Sequence, residues 1–210
     1  MAGTHEELAL LAAGHRLVAG VDEVGRGCWA GPVVAAAVVF PPAMLADSRG
    51  LDGIEDSKTL GAAARSRLAG RIQQLALGVG VGAVPAHMID LFGIAQAARL
   101  AMAQAILALP CLPDALLIDW VRLGDLPLPQ RAFARADALS VSVAAASIVA
   151  KVRRDSLMAG WDRRDPRYAW AEHKGYGTAG HSRALREHGL SPLHRRSFKP
   201  IQALAAEQAG

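Results

Sequence analysis

Short apolar runs alternate with stretches of helical spacing along the chain. Residues 16–24, RLVAGVDEV, make an apolar run that turns acidic at its end, the pattern of a buried strand. Residues 32–40, PVVAAAVVF, predict a second strand, entered through the Gly31-Pro32 turn. A polar loop is expected over 43–60 and a helix over 62–76. Residues 77–84, LGVGVGAV, alternate like a glycine-rich strand. Met88, Leu91, Ile94, Ala98, Ala101 and Ala105 recur at helical spacing and predict one helix over 86–108, stopped by Pro110. ALLIDWV, 115–121, is a buried strand with a lone acid inside it. A Pro-rich loop with a short edge strand near Phe133 follows, then a long helix over 142–159. From about 162 the chain is polar and basic, with a short helix near 180–188 and a frayed tail over the last ten residues.

Strands alternating with helices predict an α/β fold. The boundaries expected are a domain over 1–160, a small basic extension over 161–200 and a tail over 201–210. A length of 210 residues and a hydrophobic share of 52% suffice for a packed core. With 21 glycines and 5% aromatics, that core must rest on small side chains and close backbone approach. No apolar run reaches the length of a membrane span. The first twenty residues lack a basic leader and carry Glu6 and Glu7, unlike a signal peptide. Cys28 and Cys111 form neither a metal spacing nor a disulfide framework, so a reduced, cytoplasmic protein with two buried thiols is expected.

The formal charge of +4 is unevenly distributed. Residues 151–200 hold 12 Lys+Arg against 5 Asp+Glu, net +7; residues 1–150 hold 11 against 13, net −2; the last ten add −1. A basic C-terminal quarter fits an anionic partner.

Acids then stand where apolar residues should. Asp22-Glu23 closes one strand and Asp119 sits within another. A carboxylate at the core end of a strand is costly unless it is solvated, capping, paired or bound to a cation. Two strands ending this way favour convergence on one site, where oxygen ligands select Mg²⁺ or Mn²⁺. Adjacent strand residues face opposite ways, so Asp22 and Glu23 share a site only where the strand ends or bulges. Gly25-Arg26-Gly27 follows, allowing close main-chain approach of a ligand beside a phosphate-matched guanidinium. In 137–155, DALSVSVAAASIVAKVRRD, Ser147 and Lys151 share one helical face. Asp155 is the expected surface partner of Lys151, whereas Asp137 has no capping role and is the better site candidate. Tyr176, set among basic residues in 172–198, fits a sugar or base packed on an aromatic while cations hold phosphates.

Taken in order, GVDEVGRG with AGPVVAAAVV, DSK at 56–58, LLID, DALSVSVAAASIVAKVRRD, HKGYGT with His181, and SPLHRRSF resemble the ribonuclease HII family, across about 180 residues. The resemblance implies a ribonuclease H-like mixed sheet flanked by helices, with a small helical basic C-terminal extension. It implies an endonuclease that cuts the RNA strand of RNA/DNA hybrids and incises at single ribonucleotides in duplex DNA, acting as a monomer away from membranes. Asp22, Glu23, Asp119 and Asp137 would be the catalytic, metal-holding acids of a two-metal Mn²⁺ or Mg²⁺ site. Gly25, Arg26 and Gly27 would read the ribose 2′-hydroxyl, Tyr176 would pack on the adjoining deoxyribose, and Lys58, Ser147 and Lys151 would contact phosphates. Four positions depart from the usual pattern: Trp120 replaces a small residue, Ala136 a glycine, Arg135 a lysine and Glu55 an asparagine. A related ribonuclease HIII, a junction resolvase or a non-catalytic nucleic-acid-binding protein are the alternatives.

Overall fold

A computed structural model describes residues 2–55, 60–124 and 126–209. Helix α1 (His5–Ala12) leads into the hairpin β1 (Val18–Val24) and β2 (Val33–Val39). A short helix α2 (Pro42–Ala46) and helix α3 (Ala62–Leu75) precede β3 (Gly78–Val84). Helices α4 (Ala86–Phe92) and α5 (Ile94–Leu107) lead to β4 (Ala115–Asp119) and the edge strand β5 (Gln130–Phe133). The remainder is helical: α6 (Ala136–Leu139), α7 (Val141–Arg164), α8 (Trp170–His173), α9 (Ala179–His188) and α10 (Lys199–Ala209).

The sheet runs β3-β2-β1-β4-β5. Strands β1, β2 and β3 pair antiparallel, whereas β1–β4 and β4–β5 are parallel. The mixed α/β class is therefore as the sequence predicts. Alternation divides the apolar side chains between two layers. Ala19, Val21, Ala35, Ala37 and Val39 pack against α4 and α5; Ala36 and Val38 pack against α7 and α3. Small residues permit this closeness. A methyl placed on Gly20 would lie 2.2 Å from the Ser142 carbonyl carbon, so α7 rests directly on the backbone of β1.

Three expectations are corrected. The helix over 86–108 is two helices, because Gly93 adopts φ 78 between them although the apolar periodicity continues across it. The loop after 40 contains α2 and a 3₁₀ turn (Ser48–Leu51). The last residues form α10, not a frayed tail: Ile201 and Leu204 are buried against Leu185, with Trp29 and Phe198 alongside. No helix among the described residues is long and apolar enough to cross a membrane.

Candidate active site

The parallel pairing of β1 with β4 aligns Val21 with Ile118, so Asp22 and Asp119 leave the same end of the sheet on neighbouring strands. Strand β1 stays regular through Asp22 and Glu23 and ends at Val24. The pairing with β4 ends at Val21–Ile118 while that with β2 runs on through Val24, so both carboxyls leave β1 beyond its last β4 partner, without a bulge. Asp22 is buried. One of its oxygens accepts the Glu23 N–H at 2.7 Å. Ser147 on α7 hydrogen-bonds its side chain. Glu23 accepts from the Arg26 guanidinium at 3.2 Å, while its other oxygen is buried with no hydrogen-bond partner. Asp119 accepts the Ala136 N–H at 2.7 Å, which ties the end of β4 to the start of α6. Asp137 lies in the first turn of α6, also buried.

Burial pushes the Asp22 carboxyl well above the ordinary carboxylate range, and the charges of Glu23 and Asp119 push it further. Burial also raises Glu23, with the Arg26 charge pulling the other way and Asp119 adding to the rise. Among the described residues, no three acidic, histidine or cysteine side chains already close into a ligand shell. What stands there is a set of adjoining carboxyl groups, Asp22 buried and Glu23 and Asp119 half-buried, with one Glu23 oxygen lacking a hydrogen-bond partner. Hard oxygen donors in that state fit a divalent cation, which would supply the missing countercharge.

The other predicted residues fall into two groups. Gly25 (φ 92), Arg26 and Gly27 form the turn after β1, and Gly25 lies flat on Arg154, where a methyl would come within 2.2 Å of its Nε. Tyr176 is exposed, the Lys151 ammonium is 5.8 Å from its ring centroid, and Cys28 hydrogen-bonds its hydroxyl. Lys151 donates to Asp155 at 2.8 Å, the pairing the sequence predicts. Ser147 is buried against Asp22, a position closer to the acids than to solvent. Lys58 lies outside the described residues.

Sequence reasoning misses two buried arginines that build this surface. Arg154 on α7 donates to the carbonyls of Pro32 at 2.9 Å, Lys174 at 2.8 Å and Ala30 at 3.0 Å. Arg195 donates to Gly31 at 3.0 Å and to Arg26 at 2.8 Å, and burial pulls its pKa down to about 10. Together they fasten the segments carrying Arg26 and Tyr176 to one another. In a charged stretch such as KVRRD nothing distinguishes an arginine that points inward.

A mixed five-stranded sheet with acids at the ends of two adjacent parallel strands, beside a long helix, is the ribonuclease H-like fold expected from the sequence. Solved structures share that fold. The ribonuclease H2 of Pyrococcus horikoshii OT3 matches with TM-score 0.76 at 24% identity, covering 92% of this chain and 99% of that one. A Bst-RNase HIII in complex with Mn²⁺ matches with TM-score 0.70 at 22% identity, covering 91% and 70%. The family model described as Ribonuclease HII matches residues 19–201. Ribonuclease HII of Herpetosiphon aurantiacus is 64% identical over 201 residues, 96% of this chain and 97% of that protein. That of Chloroflexus aurantiacus is 60% identical over 188 residues, 90% and 89%. The chain belongs to the ribonuclease HII family, and is therefore a metal-dependent endonuclease.

Proposed function

We propose that this enzyme cleaves the RNA strand of RNA/DNA hybrids and incises at single ribonucleotides embedded in duplex DNA, leaving 5′-phosphate and 3′-hydroxyl ends. The observation that carries the reading is the gathered carboxylate group: buried Asp22 and half-buried Glu23 with Asp119 beside them, and a Glu23 oxygen without a hydrogen-bond partner. Asp22, Glu23, Asp119 and Asp137 would hold two divalent cations, Mg²⁺ or Mn²⁺. Such a pair supplies Lewis acidity and water activated near neutral pH. The Mn²⁺ in the RNase HIII relative supports a divalent ion of this kind.

The protein's own contribution is positioning. Ser147 and the Glu23 N–H fix the Asp22 carboxylate, and the Ala136 N–H fixes Asp119. The main chain of 25–27 is the group that can approach a ribose 2′-hydroxyl, the feature that separates RNA from DNA. Tyr176, exposed beside Lys151, is the surface for the adjoining sugar, and the basic 161–200 segment holds the duplex against the acids of the 1–160 domain. We place the enzyme in the cytoplasm as a monomer serving ribonucleotide excision. An RNase HII from Archaeoglobus fulgidus has been solved with PCNA; in this chain Ile201 and Leu204 are turned inward, which leaves α10 no apolar face from those residues for a clamp.

The test is incision of a duplex containing one ribonucleotide, with Mg²⁺ and with Mn²⁺. Wild type should cut it, and Asp119→Asn should lose at least two orders of magnitude in rate while keeping its circular dichroism. Fully active Asp119→Asn would refute the site. A protein that cuts long hybrids but spares the single ribonucleotide would behave as a ribonuclease HIII, and salt-sensitive binding without cleavage would leave a binding protein.

A further inference from the structure

Trp120 follows Asp119 directly and adopts φ 67. The Val121 N–H donates to the Asp119 carbonyl at 2.8 Å, closing a three-residue turn with Trp120 at its centre. A γ-turn with positive φ is rare and strained, and a bulky L-residue is poorly suited to it; glycine would sit there freely. The fold recovers little for that strain, since Trp120 is 54% exposed. Its ring instead supports the Arg26 guanidinium, whose central carbon lies 4.0 Å from the ring centroid. Arg26 in turn donates to Glu23 at 3.2 Å. Asp119, Trp120, Arg26 and Glu23 are thereby joined in one chain of contacts along the rim of the acid cluster.

Strain retained without burial marks a position kept for contact with something outside the fold. We infer that Trp120 is a substrate-contacting residue: it offers an aromatic platform to the nucleic-acid duplex and holds the Arg26 guanidinium flat, so that its remaining N–H donors face a phosphate. The inference rests on the nuclease reading above and adds a contact at the end of β4, beside Asp119, whereas Tyr176 lies between α8 and α9. Aromatic stacking is tolerant of base identity, so the contact would strengthen binding without imposing a sequence.

Trp120→Gly and Trp120→Phe test it against wild type. Affinity for a duplex with one ribonucleotide is measured by anisotropy in EDTA, and KM and kcat by incision with Mg²⁺. Trp120→Gly should weaken affinity and raise KM about five- to tenfold, with a smaller change in kcat and a melting temperature at or above wild type, because the strain is gone. Trp120→Phe retains a π-face and should restore most of the affinity. Wild-type tryptophan fluorescence should be quenched on duplex binding, and that change should be lost in Trp120→Phe. The inference is overturned if Trp120→Gly binds within twofold of wild type, if Trp120→Phe is as weak as Trp120→Gly, or if Trp120→Gly melts well below wild type. Wild type that fails to incise the duplex would overturn the nuclease reading and this inference with it.

Discussion

Gly20 is the point at which the fold and the site are most tightly coupled. A methyl there would lie 2.2 Å from the Ser142 carbonyl carbon, 2.4 Å from the Val143 nitrogen and 2.5 Å from the Ser142 oxygen. All three atoms are backbone, so no rotamer change can relieve the clash. Ordinary contact begins near 3.4 Å, and α7 must therefore withdraw from β1 by about 1 Å. Overpacking of this kind costs about 1–3 kcal/mol; a backbone obstacle places Gly20→Ala at the upper end, about 3 kcal/mol, a large part of a small domain's stability. The same withdrawal carries Ser147 away from Asp22, so incision should slow even under conditions where the variant is folded. Urea denaturation and single-ribonucleotide incision measure the two effects. Gly70→Ala is the reference substitution: Gly70 lies in α3 with nothing within 4 Å of an added methyl, and the change should stabilise by about 0.5–1 kcal/mol. Wild-type stability and activity in Gly20→Ala would refute the close packing of α7 on β1.

Three further outcomes are expected. His181 and His194 are buried with their Nε2 atoms 3.1 Å apart, and burial lowers each from 6.5 to about 4. The unfolded chain takes up these protons before the folded one does, so stability is complete above pH 6.5 and declines toward pH 4, by up to about 3 kcal/mol for one histidine; a urea midpoint that is flat from pH 7 to 4.5 would contradict this. Arg154→Met leaves the carbonyls of Ala30, Pro32 and Lys174 without their donor; at about 1–3 kcal/mol per buried orphan group it should cost about 3 kcal/mol or more and raise KM by loosening the Tyr176 loop, both measurable by denaturation and steady-state incision. Glu7, buried, accepts the Ser140 hydroxyl at 2.6 Å and the Ser142 N–H at 2.9 Å at the N-terminus of α7; Glu7→Gln removes the charge from that terminus and should cost about 1–2 kcal/mol in the same denaturation assay.

Periodicity identifies the strands because each buries side chains on alternate or both faces, and β1, β2, β3 and β4 lie where the apolar runs place them. Asp22, Glu23 and Asp119 are legible for the converse reason: an acid at the end of an apolar run is an energetic exception that asks for a cause. What escapes is conformation without a compositional mark. The apolar rhythm passes through Gly93, yet the backbone breaks there. IQALAAEQAG has no strong polarity contrast, yet Ile201 and Leu204 find a pocket beside Leu185. Trp120 is conspicuous as a residue type, but its positive φ arises from the way β4 turns toward Phe133, whose carbonyl accepts the Trp120 N–H at 3.1 Å.

The basic C-terminal quarter shows how charge counted along a sequence differs from charge presented to a substrate. Arg154 and Arg195, counted in its net +7, are fully buried. The hydrogen bonds they donate go to main-chain carbonyls. Arg167 is held by Asp165 and Lys151 by Asp155, both at 2.8 Å, pairs whose acids the net count already subtracts. The electrostatic surface offered to a duplex is thus smaller than the count, while the two buried arginines act where the count assigns nothing, on the loops bearing Arg26 and Tyr176. Neutralising a surface arginine such as Arg183 should therefore reduce the salt dependence of duplex binding, whereas replacing Arg154 or Arg195 should weaken binding through loop geometry and leave the salt slope unchanged.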